Sequence, residues 1–188
     1  TANATLSASA INVGGGINLG TNRLILNTDS TYEIAGVISG TGGAITKQGT
    51  GELTLSGDNT FTGGMTVSAG TVKAGASSVS STSGAMGTGT VTVQSGAVID
   101  LNGKTVANAL NISGAGISSG GVLINSSAAA GTASGAVTVA ANATLGGTGA
   151  MTLTGAVGAG SYTVTFANAS GFTATNTSNS IQNIAINN

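Results

Sequence analysis

The sequence lacks histidine, cysteine, proline and tryptophan, and it is poor in charged and aromatic residues. Only 5% of its 188 residues are charged, against about 25% in ordinary soluble domains. Without histidine the chain loses the commonest general base and the commonest metal ligand. Without cysteine it can form neither a disulfide nor a thiolate site. These absences argue against most kinds of enzyme.

The few charges also restrict the possible partners. The formal net charge is −1, with four lysines and arginines, and no charged residue follows Lys104. A nucleic-acid surface needs clustered cations, and single-strand binding needs aromatic platforms, so we expect no nucleic-acid partner. No stretch reaches the 18 or so consecutive apolar residues of a membrane helix, so we also expect no membrane span.

What the sequence does contain is typical of short β-strands. Glycine occurs 33 times and 40% of the residues are apolar. The ordered segments alternate with period two, as in Leu53-Thr54-Leu55, Val91-Thr92-Val93 and Met151-Thr152-Leu153. In each segment two apolar side chains would point to one face and the threonine to the other. Helices are improbable in a chain so rich in glycine and β-branched residues.

The strands recur behind the same preface, Gly-Thr-Gly, which begins at Gly49, Gly87 and Gly147. The intervals, 49 to 87 and 87 to 147, are close to multiples of about 20 residues, a period typical of solenoids. We therefore predict one β-helix domain over residues 1–188, with roughly nine turns and glycine or asparagine at the corners. An antiparallel sandwich is the competing fold, but Asn102-Gly103 is the one hairpin signal of its kind.

Residues 45–75 read ITKQGTGELTLSGDNTFTGGMTVSAGTVKAG. This segment resembles the passenger-associated β-strand repeat of autotransporters and related bacterial surface proteins. The matching residues are Lys47, Gly49, Gly51, Leu53, Leu55, Gly57, Asn59, Thr60, Phe61, Thr62, Gly63, Gly64, Thr66, Val67, Ala69, Gly70 and Thr71. The resemblance implies a right-handed parallel β-helix that is exported and displayed outside the cell. It implies no enzyme activity, because the repeat is scaffold.

We predict no catalytic, cofactor-binding or metal-ligating residue. Asp29 and Glu33 could share one face of a strand, as in a carboxylate pair that cleaves polysaccharides, but we interpret them as two solvated residues near a corner. Glu52 is given a structural role or none. The segment that begins at Asp100 resembles the opening of a calcium loop but lacks its closing glutamate, so it predicts a turn. Likewise Gly103-Lys104-Thr105 lacks the first glycine of a nucleotide loop.

Three non-enzymatic functions remain open beside a polysaccharide lyase. The first is a subunit of a self-assembling fibre on a bacterial surface, whose copies join head to tail through strands near residues 5–13 and 181–186. The second is a monomeric adhesin passenger that binds a host or matrix surface through residues 77–83 or the region around Phe166 and Phe172. The third is ice binding through columns of outward threonines, although Thr-x-Thr is not repeated on every turn.

Overall fold

The computed structural model describes residues 3–7, 15–78, 82–168 and 170–187. Short alternating segments separated by glycine-rich corners produce short strands there. A single turn of 3-10 helix, Ile117–Ser119, is the only helical element in these ranges. In chain order the strands are β1 Asn3–Ser7, β2 Ile17–Asn18, β3 Arg23–Asn27, β4 Tyr32–Ile34, β5 Ile38–Ser39, β6 Ala44–Gln48, β7 Glu52–Leu55, β8 Met65–Val67, β9 Gly70–Ala74, β10 Val91–Val93, β11 Ala97–Asp100, β12 Thr105–Val106, β13 Leu110–Gly114, β14 Leu123–Asn125, β15 Gly131–Ala133, β16 Val137–Gly147, β17 Met151–Leu153, β18 Val157–Asn168, β19 Phe172–Ala174 and β20 Ser180–Ile186.

The strands wind into a parallel solenoid with three faces. The first face contains β1, β3, β6, β8, β10 and β13, followed by the first parts of β16, β18 and β20. The second contains β4, β7, β9, β11 and β14, followed by the last parts of the same three long strands. The third contains β2 with β5, and then β12, β15, β17 and β19. Every strand pair in the described ranges is parallel, which confirms the β-helix and excludes the antiparallel sandwich.

The turn length is close to the expected one, with two longer turns. Partners on the first face are 20 residues apart from β1 to β3, where Asn3 pairs with Arg23, and 19 apart from β10 to β13, where Val91 pairs with Leu110. The interval grows to 26 residues between β8 and β10 and to 27 between β13 and β16. Nine successive strand segments on this face enclose eight turns, in rough agreement with the predicted nine.

The recurring Gly-Thr-Gly preface does not mark equivalent positions in successive turns. The strand that follows Gly49 lies on the second face, the strand after Gly87 on the first, and the strand after Gly147 on the third. The prediction that the intervals between these prefaces are multiples of the turn length is therefore wrong. The preface recurs because each corner brings the chain against the backbone of the preceding turn, where a side chain would not fit.

The core consists of columns of inward side chains, one from each turn. Strand pairing in register places equivalent residues directly above one another. The threonines between the apolar residues face outwards, as the period-two pattern predicts. The column along the second face contains Tyr32, Leu53, Val72, Ile99, Leu123, Leu145, Phe166 and Ile186.

Candidate functional site

The two carboxylates considered as a catalytic pair each accept hydrogen bonds from residues of the following turn. Asp29 accepts hydrogen bonds from the Thr50 backbone N–H at 2.7 Å and the Thr50 hydroxyl at 2.9 Å. The backbone N–H of Thr50 is the main reason that the pKa of Asp29 lies below its ordinary value. Glu33 accepts a short hydrogen bond from the Ser56 hydroxyl. Both side chains are exposed, as expected for solvated corner residues, but they also connect neighbouring turns, which the sequence did not predict.

Glu52 belongs to a row of charges across three neighbouring strands of the second face. The Lys73 ammonium lies 3.4 Å from Glu52 and 3.8 Å from Asp100. Asp100 is almost completely buried, and it accepts hydrogen bonds from the backbone N–H groups of Asn102 at 2.8 Å and Ser126 at 3.0 Å. The Ser126 hydroxyl donates to the same carboxylate at 2.5 Å. With its acceptors used in this way, Asp100 holds a corner together.

The resemblance of this segment to a calcium loop is explained by a turn. Asn102 has φ of 48° and Gly103 has φ of 69°, which are left-handed conformations that asparagine and glycine tolerate. The turn connects β11 to β12, which lie on different faces, and it forms no antiparallel hairpin. The Gly103 N–H donates to the side chain of Asn125 at 2.8 Å, so it is engaged within the protein.

Lys47 is fully buried in the interior of the solenoid, a position that its sequence did not predict. It lies in an inward column between Leu26 and Val67, where the other positions are aliphatic. Its ammonium donates to the carbonyl oxygens of Gln48 and Gly49, both at 2.8 Å, and to that of Ala69 at 3.5 Å. The lysine of the repeat therefore binds the carbonyls of two successive corners from inside.

Burial lowers the pKa of Lys47 to about 8, and the Asp29 carboxylate opposes this shift. Between pH 8 and the ordinary pKa of 10.5, the unfolded chain binds a proton that the folded chain does not. We therefore expect the free energy of unfolding to rise with pH across this window, by about 3 kcal/mol in total. Urea denaturation of the protein and of Lys47→Met, at steps from pH 7 to 10.5, measures it.

The comparison with Lys47→Met also cancels the contribution of Tyr32. Burial raises the pKa of the Tyr32 hydroxyl, so its contribution to stability falls as pH rises above the ordinary value of 10.0. The contribution of Tyr32 to the pH dependence of stability is the same in the wild type and in Lys47→Met. Stability profiles that run parallel for the two proteins across the window would contradict a lowered pKa for Lys47.

The C-terminal end of the described solenoid exposes apolar side chains that belong to core columns. Ile184 pairs in register with Val164, and Ile186 with Phe166. Val164 is fully buried, whereas Ile184 is 58% and Ile186 is 70% exposed, because no further turn covers them in the described ranges. A cavity of about 240 Å³ opens beside Phe166, Phe172 and Ile186.

The N-terminal end is also apolar. A cavity of about 400 Å³ is lined by Ile17, Leu19, Leu24 and Ile34 from the first turns, together with Ala4 of β1. Strand β1 pairs with β3 on one edge, and β20 pairs with β18 on one edge. Within the described ranges their other edges have no partner strand, so both ends present free backbone N–H and C=O groups.

Two features favoured by the adhesin hypothesis have separate places in the structure. Phe166 and Phe172 contact each other with ring centroids 4.2 Å apart, at the C-terminal end and not on a side of the rod. In the predicted loop over residues 77–83, Ser77 and Ser78 accept hydrogen bonds from the backbone of Thr105 and Ala107, while residues 79–81 lie outside the described ranges. Residues 8–14, which include most of the predicted N-terminal joining segment, also lie outside them.

Comparison with known proteins agrees with this architecture. Residues 45–74 match the family model of the passenger-associated-transport-repeat. The matched segment and the parallel solenoid together support an autotransporter passenger-like β-helix repeat protein. No curated protein matches it, and no solved structure does. Repeats of this family generally occur in structural or adhesive proteins, and the repeat in this passenger-like chain indicates a secreted or surface-exposed protein.

The structure explains the chemistry of the matched repeat. Its aromatic residue, Phe61, is fully buried in the core. Its asparagine, Asn59, is also fully buried; its side-chain oxygen accepts from the Ile38 N–H at 2.7 Å and its amide donates to Ala85 at 2.5 Å. Asn59 therefore joins three turns of the passenger-like chain. No helix in the described part of the chain is long and apolar enough to cross a membrane.

Proposed function

We propose that this passenger-like chain is a non-enzymatic subunit of an extracellular fibre on a bacterial surface, in which copies join head to tail. The observation that carries the proposal is the exposure of core-column residues at the C-terminal end of the described solenoid. Ile184 and Ile186 occupy core positions, yet each has more than half of its surface exposed. Such side chains are stabilised when another turn covers them.

A second copy of the chain fits this end because its N-terminal end has the complementary properties. The cavity beside Leu19, Leu24 and Ile34 is mainly apolar, with Arg23 among its lining residues, and β1 has a free edge within the described ranges. Covering one isoleucine contributes about 1.5–3 kcal/mol, and pairing β20 with β1 would satisfy the free backbone groups of both strands. A contact between two different ends does not close on itself, so it extends into a filament.

We expect Ile186→Asp to abolish filament formation, because it places a charge where the next copy would have to bury it. Ile117→Asp is the matched control, since Ile117 is 44% exposed on the 3-10 turn at the side of the rod. Negative-stain electron microscopy and sedimentation velocity at micromolar concentration compare the three proteins. The wild type and Ile117→Asp should form filaments, and Ile186→Asp should remain monomeric.

Monomers of the wild-type protein at every salt concentration and pH tested would contradict the head-to-tail fibre. That result would favour the alternative, a monomeric adhesin passenger that binds a host or matrix surface. Filaments that persist in Ile186→Asp but not in Ile117→Asp would place the contact on the side of the rod and would equally contradict the proposal.

A further inference from the structure

The third face carries a regular array of hydroxyl groups that the proposed function does not use. Thr105, Thr132, Thr152 and Thr173 pair in register across β12, β15, β17 and β19, and so form one outward column. This column is not evident in the sequence, because the first of its intervals, 105 to 132, is a longer turn. Only the parallel pairing of β12, β15, β17 and β19 brings its members next to one another.

A second column runs beside the first, two residues further along each turn. The backbone N–H groups of Ser134, Thr154 and Thr175 donate to the carbonyls of Val106, Ala133 and Leu153 in the preceding turns. These equivalent bonds place the three residues at equivalent positions. We define the threonine grid as Thr132, Ser134, Thr152, Thr154, Thr173 and Thr175.

The grid has a fixed geometry. Strand pairing sets a spacing of about 4.8 Å along the rod, and two residues along a strand span roughly 6.6 Å. Threonine is β-branched and stiff at χ1, so stacked threonines repeat their hydroxyl and methyl groups at these intervals. The grid is therefore a rigid surface lattice, in contrast to a set of independently moving polar side chains.

The threonine hydroxyls of the grid are available to solvent. In the described part of the chain, no intramolecular hydrogen bond involves the side-chain oxygen of any of its five threonines, whereas the Ser134 hydroxyl lies 3.5 Å from the carbonyl of Val106. Thr154, Thr173 and Thr175 are exposed, and Thr132 and Thr152 are half-buried. No charged residue follows Lys104, so no charge belongs to the grid or to any later turn.

We propose that the threonine grid is an ice-binding surface. Water oxygens in hexagonal ice repeat along the basal plane at an interval close to the strand spacing. A rigid row of hydroxyl groups at that spacing can hydrogen-bond to successive lattice waters, while the methyl groups between them order the intervening water. Charged groups would hold their own hydration shell against the lattice. Carbohydrate binding would need an exposed aromatic platform, whereas Phe172, the aromatic residue of this face, is half-buried, contacts Phe166 and pairs with the core residue Met151.

The test is thermal hysteresis and crystal shape, measured on the purified protein in a nanolitre osmometer. We expect a gap between melting and freezing temperatures and faceted crystals. Both should be lost in Thr152→Lys, at the centre of the grid. Thr173→Lys, at an exposed end position, provides a second variant in case the central substitution impairs folding, which circular dichroism reports.

Thr92→Lys is the matched control. Thr92 is an outward threonine in the middle of β10, on the first face, in a column with Thr66. This variant should keep the full hysteresis gap. Absence of any gap in the wild type, or equal losses in Thr92→Lys and in folded Thr152→Lys, would overturn the proposal.

Discussion

Replacing Gly51 by alanine is expected to lower the free energy of unfolding by about 3 kcal/mol or more. A Cβ atom at this position would overlap the carbonyl oxygen of Ser30 and lie 2.7 Å from both the carbon and the nitrogen of that residue. These atoms belong to the backbone of the preceding turn, in the corner between β3 and β4. The corner can accept the methyl group only by separating two turns, so β7 would lose contacts with β4.

The control for this substitution is Gly158→Ala in β18. A Cβ atom there meets nothing closer than the Ser180 hydroxyl at 3.9 Å. Since glycine weakens a strand interior by roughly 0.5–1 kcal/mol relative to alanine, this variant should be neutral or slightly more stable than the wild type. Chemical denaturation followed by circular dichroism measures both. Equal stability of Gly51→Ala and the wild type would show that the corners are looser than the structure indicates.

Asn125→Leu is expected to destabilise the protein by about 4 kcal/mol, although leucine has the same branched skeleton of side-chain heavy atoms. The side chain of Asn125 is fully buried. Its oxygen accepts from Gly103 at 2.8 Å and Ser127 at 3.3 Å, and its amide donates to Ala129 at 2.9 Å and Ala150 at 2.7 Å. Leucine would leave these backbone groups without the buried side chain that joins them, and each such loss costs about 1–3 kcal/mol where water cannot reach the group.

Asn183→Ala provides the comparison for Asn125→Leu. Asn183 is exposed and donates one hydrogen bond, to the carbonyl of Ser161 at 2.9 Å. Its replacement should cost no more than about 1 kcal/mol, because water can take over the freed carbonyl. The two unfolding midpoints, measured under the same conditions, should therefore be well separated. Coincident midpoints would mean that water reaches the corner at Asn125.

The repeat pattern and the strand pattern were sufficient to predict the architecture. The alternation in Leu53-Thr54-Leu55 and the density of glycine led to a parallel β-helix, and the segment at 45–75 led to the passenger-associated repeat. The sequence did not predict in the same way which residues of successive turns are stacked on one another. Turns of 19 and of 27 residues occur in one solenoid, and corner glycines recur on every face, so their intervals do not reveal which residues are stacked.

The candidate functional features also differ in how far the sequence could predict them. The apolar segment near Ile186 could be recognised from its composition, but its exposure depends on the place of β20 as the last strand of the core columns in the described ranges. The role of Lys47 could not be predicted, since a lysine in a motif is normally expected at the surface. Its burial depends on carbonyls from two corners that meet only in the folded solenoid.

The sequence by itself determined the class of this protein: a charge-poor, glycine-rich chain without histidine or cysteine can bury its aliphatic stripes by stacking similar turns. Tertiary structure alone decided which threonines form a grid, which asparagines and which lysine face inwards, and where apolar columns remain uncovered. The physical reason is that strand stacking joins residues about 20 positions apart, and every insertion at a corner changes that distance.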